Sequence, residues 1–309
     1  MSVKIAKATR EAVPLLISIA AVSGGGKTFS ALLLAAGLAG ENGVVGFMDT
    51  ENKRGKMYAD NPDIVKALPR GYEYSELRAP FSPSRYIEHI DAFEAMGCHV
   101  LVVDSGSHEW EGDGGCTDIA ENNKLRGTPN WIMAKREHKR LMNRMMASPM
   151  HIIFCIRARD KIKVVKDASG KDQFVPQGLQ PIQEKNFTFE MTLSFLLDET
   201  THEFSFIKKC PASLVSIFGE KRLLSKDIGT QLRLWVESGN AVTLDPDELV
   251  EQSRAFAAQG TEAYVGYWET LTGGQKKLLL PKHDENKALA RMADDRQKPA
   301  EAMPPELNF

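Results

Sequence analysis

Short, uninterrupted apolar runs alternate with stretches of helical periodicity through the first half of the chain. Four runs have the length and composition of buried strands: residues 13–21, 44–48, 99–103 and 150–156. Three stretches have helical spacing of their apolar positions: residues 28–39, 84–96 and 128–147. Strands that alternate with helices in this way are typical of a parallel sheet with crossover helices. We therefore expect an α/β fold with a mainly parallel sheet flanked by helices.

The pattern changes after residue 156. Residues 157–185 are polar and show no clear period, which predicts a long loop. Loops of that length inside a compact domain are usually functional or mobile. Two apolar runs follow, at 189–197 and 203–207, and the turn-forming residues between them predict a hairpin. We expect the core to end near Ser238.

The last part of the chain has a helical composition. Asp245 and Pro246 form a helix start signal, and Gly260 is a stop signal. Two or three short helices are expected to follow, interrupted by the glycines at 273–274 and by Pro281. The predicted organisation is an N-terminal arm (1–12), a core (13–240), a small helical region (241–296) and a flexible, proline-rich tail (297–309).

Composition narrows the class of protein further. The 309 residues are 42% hydrophobic and 26% charged, which excludes a disordered or fibrous chain. Neither a run of 18 uncharged apolar residues nor a signal core after the first ten residues occurs, so we expect a cytoplasmic protein without a membrane partner. The four cysteines form no C-x-x-C pair, which favours reduced thiols. A net charge of −2 argues against coating of nucleic acid by the whole surface, but it allows a local basic patch.

The clearest chemical signal is the segment AVSGGGKT at 21–28, between a predicted strand and a predicted helix. Glycines allow a turn whose backbone N–H groups point at one phosphate, and the helix N-terminus adds partial positive charge. Lys27 would reach the β- and γ-phosphates, and the Thr28 hydroxyl would bind Mg²⁺. Ala21 stands where the phosphate-loop motif has its first glycine. The sequence thus predicts a nucleoside triphosphate site at Ser23, Gly24, Gly25, Gly26, Lys27 and Thr28.

Carboxylates follow two of the predicted strands. Asp104 ends the third strand, where P-loop enzymes hold Mg²⁺ with an aspartate, so we expect it to share the ion with Thr28. Glu51 follows the second strand and would orient the attacking water if that strand lies close to the phosphate loop. A solvated loop carboxylate is the other interpretation of Glu51. Glu109 and Glu111 are fallback bases.

These segments resemble the core of RecA-like recombinases. FMDTEN (47–52) is similar to the strand end that carries the family's water-activating glutamate, and VVDS (102–105) is similar to its metal strand. The resemblance covers about residues 13–240 and extends to phage-encoded ATPases of this class. It implies a RecA-like P-loop NTPase core that binds ATP and hydrolyses it with Mg²⁺. Some of these relatives anneal single strands during phage recombination.

Other positions depart from the family pattern. Cys155 stands where RecA-like proteins carry a polar sensor, and Arg157 is a candidate to replace it. In RecA-like filaments two basic residues reach across the subunit interface to the neighbour's ATP; Lys208 matches one of them and Cys210 stands at the other. The resemblance implies that Arg157 or Lys208 compensates phosphoryl charge. It also implies a homo-oligomer to which an N-terminal strand at 3–7 contributes. A solvated lysine pair and a frayed terminus are the alternatives.

Residues 157–171 contain six basic side chains and two acidic ones. Basic and apolar residues alternate there, which suits an extended segment that follows a phosphate backbone. Aromatic stacking partners are sparse in this segment, with Phe174 close by, so we expect binding to be mostly electrostatic and to weaken steeply with salt. A solvated charged hairpin would show the same pattern. The predicted DNA-binding residues are Arg157, Arg159, Lys161, Lys163 and Lys166.

The favoured function is an ATPase that acts on single-stranded DNA in phage recombination or annealing, in a host bacterial cytoplasm. The terminal residues 304–309 weakly resemble tails by which single-stranded-DNA-binding proteins recruit partners, so such a protein is a further candidate partner. A nucleotide-gated scaffold with little turnover and a small-molecule kinase with residues 157–185 as its lid remain alternatives. His108 and His138 are weak metal-ligand candidates, because no third ligand occurs at a regular spacing.

Overall fold

The structure is a computed structural model that describes residues 10–166, 171–208, 210–239, 246–271 and 273–297. Backbone contacts divide the chain into two compact units, one of residues 13–236 and one of the residues on either side of it. We call them the core unit and the helical unit. The predicted strand at 3–7 and almost all of the predicted tail lie outside the described residues.

The core unit is built on a twisted sheet whose central strands are fully buried. Its described strands are β1 (Leu16–Ala21), β2 (Val45–Asp49), β3 (Glu73–Glu76), β4 (Val100–Asp104), β5 (His151–Lys166), β6 (Asp172–Pro181), β7 (Leu193–Leu197) and β8 (Phe204–Phe206). Their order is β3-β2-β4-β5-β1-β7-β8, and β6 pairs with β5 alone. All neighbours from β3 to β7 in this order run parallel, whereas β7–β8 and β5–β6 are antiparallel. The predicted α/β class with a mainly parallel sheet is confirmed.

Helices cover the sheet. This explains why its strands are continuous apolar runs in the sequence and not alternations of apolar and polar residues. The helices of this part of the chain are α1 (Lys27–Ala39), α2 (Pro62–Ala67), α3 (Pro83–Ala95), α4 (Ser107–Glu111), α5 (Cys116–Asn122), α6 (Trp131–Met146), α7 (Phe187–Glu190), α8 (Val215–Phe218) and α9 (Lys226–Glu237). The side chains of Asn61 and Asn130 accept N–H groups of the first turns of α2 and α6. One apolar cluster of the core unit contains Phe154 and Tyr86, both without exposed surface.

The long loop predicted for residues 157–185 is wrong. β5 continues past residue 156 to Lys166 and pairs with β6 from Ala158↔Pro181 to Lys166↔Asp172. We call residues 157–166 and 171–181 the basic hairpin. Its side chains alternate with a period of two, as strand pairing requires, and Ile162 and Val164 lie among basic residues. The segment lacks the apolar content that marks a buried strand.

The predicted hairpin at 189–197 and 203–207 is confirmed, with one difference. Its first strand, β7, begins at Leu193 and follows the short helix α7. Phe187 at the start of α7 is buried against Phe154, with ring centroids 5.1 Å apart. Phe189, the first residue assigned to the strand, lies in α7 and leaves 69% of its surface exposed.

The helical unit contains α10 (Pro246–Ala257), α11 (Thr261–Thr270) and α12 (Gly273–Gln297). The predicted interruption at Pro281 is wrong, because α12 passes through it. Leu279 before the proline and Ala290 after it are both buried, each in an apolar cluster with residues of the other two helices. This packing offsets the roughly 3 kcal/mol that a proline costs inside a helix. No helix among the described residues is long and apolar enough to cross a membrane.

The contact between α1 and α9 requires glycine at position 37. A Cβ added to Gly37 would lie 2.0 Å from the carbonyl oxygen of Lys226 and 2.7 Å from the carbonyl carbon of Gly229, which are backbone atoms that cannot rotate away. We expect Gly37→Ala to lower the free energy of unfolding by about 1–3 kcal/mol, as measured by denaturant titration. Gly266→Ala is the control. Nothing lies within 4 Å of its added Cβ, and helix propensity predicts a gain of up to about 1 kcal/mol. Equal effects of both changes would contradict this interpretation.

Candidate functional site

The segment 21–28 forms a tight loop between β1 and α1. Gly24 and Gly26 have φ values of +84° and +80°, which glycine adopts without strain. The N–H of Gly25 donates to the carbonyl of Val22 at 3.1 Å and closes the turn. A Cβ on Gly25 would lie 2.9 Å from the Cβ of Ala21, so the residue that replaces the first glycine of the motif packs directly against the loop. The tight glycine turn therefore forms with alanine at position 21.

Lys27 folds back over this loop. Its ammonium group donates to the carbonyls of Val22 at 2.9 Å and Ala21 at 3.3 Å, and the side chain is buried. Its hydrogen bonds go to neutral carbonyls, while its charge also lowers the pKa of Glu51 and acts to lower that of Asp104. A buried ammonium group of this kind is suited to pair with an anion. The site can thus supply one fixed positive charge to a phosphate on the loop.

Thr28 and Asp104 meet beside the loop. The Thr28 hydroxyl donates to Oδ2 of Asp104 at 2.5 Å, and the buried Oδ1 of Asp104 has no hydrogen-bond partner among the described residues. Burial raises the pKa of Asp104 to about 6, even though the hydrogen bond from Thr28 lowers it. A hydroxyl beside a carboxylate that keeps one oxygen free is a donor set that fits Mg²⁺, which prefers oxygen ligands.

A cavity of about 260 Å³ lies in front of the loop. Five of the six predicted loop residues line it: Ser23, Gly24, Gly26, Lys27 and Thr28. Glu51 and Asp104 line it as well, because β2 is the neighbour of β4 and residue 49 pairs with residue 104. The structure thus brings the predicted phosphate, metal and water-orienting residues to one cavity.

Glu51 is held by two arginines. Its Oε1 accepts the Nε–H of Arg157 at 2.8 Å, and its Oε2 accepts from Arg54 at 3.3 Å. Burial alone would raise the pKa of Glu51, but the hydrogen bond and charge of Arg157, together with Lys27 and His108, outweigh it, so the pKa lies below its ordinary value. The carboxylate is therefore ionised at neutral pH, which is the form that can accept a proton from water.

The 3₁₀ turn at Arg54–Tyr58 also lines the cavity, and no sequence motif pointed to it. It is organised by Asp49, whose buried carboxylate accepts the N–H groups of Glu51 at 2.6 Å and Gly55 at 2.7 Å. The signal that could have indicated the turn is an aspartate at the end of an apolar strand with a glycine six residues later.

The two fallback bases lie away from the cavity lining. Glu109 is completely buried, and its oxygens accept from Cys116 at 3.1 Å, from His138 at 3.1 Å and from Gln183 at 3.1 Å. Glu111 forms an ion pair with Arg159 at 3.2 Å. Neither carboxylate is free to approach a water molecule on the phosphate loop.

The structure places two potential ligands beside His138 that no regular spacing in the sequence indicated. Glu109, Cys116 and His138 place one potential ligand atom each within 4.8 Å of one another. They come from three different helices, so no regular spacing could reveal them. Each is already satisfied by the hydrogen bonds around Glu109, and we interpret the set as a buried polar network. His108 lies elsewhere, with Nδ1 2.7 Å from the hydroxyl of Thr50.

Neither Lys208 nor Cys155 lines the cavity at the phosphate loop. The Lys208 ammonium group donates to the carbonyls of Met191 and, at 3.3 Å, of Phe189, and Lys208 is absent from the cavity lining. Cys155 is buried beneath the loop, with its sulfur 3.9 Å from the carbonyl oxygen of Lys27. Burial raises the pKa of the Cys155 thiol well above its ordinary value, so this residue packs as a neutral group.

The basic hairpin is a direct continuation of the strand beside the phosphate loop. Residue 157 of β5 pairs with residue 21 of β1, and the carbonyl of Arg157 accepts the N–H of Ile182 at 2.8 Å where the hairpin returns. Four of the predicted DNA-binding residues are exposed on its β5 strand: Arg159, Lys161, Lys163 and Lys166. The fifth, Arg157, lies at the base and contacts Glu51. One strand therefore joins the cavity to an exposed basic surface.

Comparison with known protein families finds no match to this chain, and no curated protein matches it. Solved structures show partial similarity. The RadB recombinase is 15% identical, with 66% of this chain and 84% of that chain covered at a TM-score of 0.37. A KaiC-like protein from the hyperthermophilic archaeon Pyrococcus horikoshii OT3 is 14% identical (64% and 85% covered, TM-score 0.34). An ATPase from the type III secretion system of pathogenic bacteria is 11% identical (90% and 74% covered, TM-score 0.36).

Proposed function

We propose that this protein is an ATPase with a RecA-like core that binds ATP and Mg²⁺ at the loop of residues 21–28. Lys27 and the loop N–H groups would hold the phosphates, and Thr28 and Asp104 would hold Mg²⁺. The bound ion would neutralise charge on the β- and γ-phosphate oxygens. Glu51 would orient the attacking water, and Arg157 would compensate charge on the phosphoryl group.

We further propose that single-stranded DNA binds the basic hairpin and stimulates hydrolysis. The observation that carries this proposal is the 2.8 Å bond from Arg157, at the base of the hairpin, to Glu51 in the cavity. A strand that shifts when DNA binds its exposed end would also shift Arg157. That movement would release the Glu51 carboxylate toward the water molecule.

The first experiment measures ATP binding and phosphate release by the purified protein in Mg²⁺, with and without single-stranded DNA. The proposal predicts binding in both cases and faster release with DNA. Release at the same rate with and without DNA would contradict coupling between the hairpin and the cavity. An absence of ATP binding would contradict the proposed nucleotide site.

Salt dependence tests the hairpin as the DNA surface. We expect Lys161→Gln/Lys163→Gln to make the plot of log affinity against log salt shallower by about 1.4, since each phosphate contact on a single strand contributes about 0.7. Lys66→Gln/Lys287→Gln removes two charges from exposed residues of α2 and α12 and serves as the control. An unchanged slope in the hairpin variant would place the DNA elsewhere.

We also propose that the protein acts as a homo-oligomer in which Lys208 reaches the nucleotide of a neighbouring copy. The support is that Lys208 lies outside the lining of its own cavity, whereas the resemblance to RecA-like proteins implies a role in phosphoryl transfer. The proposed physiological role is phage DNA recombination or annealing, with a single-stranded-DNA-binding or other recombination protein as partner. Residues 1–12, 13–240, 241–296 and 297–309 would serve as arm, ATPase core, helical region and tail.

A nucleotide-gated scaffold with little turnover is the second candidate. The observation that favours it is that both oxygens of Glu51 are already bonded to arginines, Arg157 and Arg54. A carboxylate held in this way orients water poorly. ATP binding without phosphate release, with DNA present or absent, would support the scaffold over the ATPase.

A further inference from the structure

A second cavity, of about 540 Å³, lies at the base of the basic hairpin. Its wall combines two tryptophans, Trp110 and Trp131, with basic side chains that include Arg159 and Lys161 of the hairpin. We call it the Trp110–Trp131 cavity. It shares no lining residue with the cavity at the phosphate loop.

The two tryptophans form a rigid aromatic wall. Their rings are stacked, with centroids 6.1 Å apart and planes inclined by 25°. Trp110 is fixed from another side by His138, whose ring meets it edge-on at 5.5 Å. Trp131, in contrast, leaves 41% of its surface exposed at the start of α6. A tryptophan that is held by one neighbour and open to solvent offers a flat apolar face to a ligand.

The side chains that line the cavity carry more positive than negative charges. Arg159 is paired with Glu111 at 3.2 Å, and Lys135 is paired with Glu184 at 3.1 Å. For Lys161 and Lys185, which also line the cavity, the described part of the chain provides no ion-pair partner. The cavity therefore suits a ligand that carries both an aromatic ring and negative charge.

We propose that one unstacked nucleobase of bound single-stranded DNA enters the Trp110–Trp131 cavity and stacks on Trp131. The adjoining phosphates would contact Lys161 and continue along the basic hairpin. This inference rests on the proposed binding of single-stranded DNA to that hairpin. It also adds to the expectation from sequence that binding is mostly electrostatic, because stacking of a base on an aromatic side chain contributes affinity without a phosphate contact.

The test compares an oligothymidylate with an abasic oligomer of equal length, which keeps the phosphates but lacks bases. We expect the wild-type protein to bind the oligothymidylate about 5- to 150-fold more tightly, the range that stacking of one base provides. Trp131→Ala should remove this preference and leave affinity for the abasic oligomer unchanged. Trp131→Phe should retain most of the preference, since a phenyl ring still stacks. Circular dichroism would verify that each variant is folded.

Phe174→Ala is the matched control, because Phe174 is an exposed aromatic residue on the hairpin outside this cavity. Loss of the preference in Phe174→Ala instead of Trp131→Ala would overturn the inference. Equal affinity of the wild-type protein for the two oligomers would also overturn it, while leaving DNA binding to the hairpin intact. Binding of neither oligomer would instead reject the proposed function on which the inference rests. Tryptophan fluorescence gives a further readout. If free thymidine monophosphate quenches it as strongly as the oligothymidylate does, and Trp131→Ala abolishes this quenching, the cavity is a mononucleotide site and not a DNA site.

Discussion

Lys27→Ala is expected to weaken ATP binding by about 10- to 100-fold and to reduce phosphate release by at least about 100-fold. Lys27 is the buried cation of the loop, and its ammonium group lies over the carbonyls of Ala21 and Val22, where a phosphate would be bound. Alanine removes the charge and leaves the glycine turn unchanged. A fluorescent ATP analogue measures the affinity, and a phosphate sensor measures the rate.

Lys66→Ala is the control for this change, because Lys66 is an exposed residue of α2 outside the cavity lining. It should leave both the affinity and the rate unchanged. A thermal melt of Lys27→Ala would show that the variant is folded. Wild-type affinity for ATP in a folded Lys27→Ala protein would contradict the phosphate site.

Glu51→Gln is expected to lower ATP hydrolysis by about 100- to 1,000-fold with little change in ATP affinity. Glutamine has the same shape and can still accept from Arg157, but it cannot accept a proton from water, and loss of a general base typically costs this much. Single-turnover phosphate release measures the rate, and analogue binding measures the affinity separately.

Glu111→Gln provides the comparison, since Glu111 was a fallback base and is paired with Arg159 outside the cavity. Its rate without DNA should equal that of the wild type. If Glu51→Gln hydrolyses ATP at the wild-type rate, Glu51 does not orient the water. If Glu111→Gln is the variant that slows, the assignment of the two carboxylates is reversed.

Features determined by local sequence could be predicted. The strands β1, β2 and β4 are continuous apolar runs because both faces of the sheet are covered, and the glycine turn with Lys27 and Thr28 is defined by eight adjacent residues. The position of Glu51 beside the phosphate loop was suggested by a family resemblance. It depends on the order of the strands in the folded sheet, which the local sequence does not determine.

Features determined by tertiary contacts could not be predicted. The strand β3 is short and half-exposed, so no apolar pattern marks it. The network of Glu109, Cys116 and His138 and the stacking of Trp110 on Trp131 join residues from separate helices. The basic hairpin was hidden because its strands are stabilised by pairing with each other and bury little apolar surface.

The most direct test of coupling between the hairpin and the ATP site is ATP hydrolysis as a function of single-stranded DNA, measured for the wild type and for Lys161→Gln/Lys163→Gln. We expect DNA to accelerate hydrolysis by the wild type. The variant should keep the wild-type rate without DNA but need a higher DNA concentration for the same acceleration. The hairpin residues lie outside the nucleotide cavity, so a direct effect on ATP is not expected. Two results would contradict coupling between the hairpin and the ATP site: the same dependence of hydrolysis rate on DNA concentration in both proteins, or a wild-type rate that does not change when DNA is added.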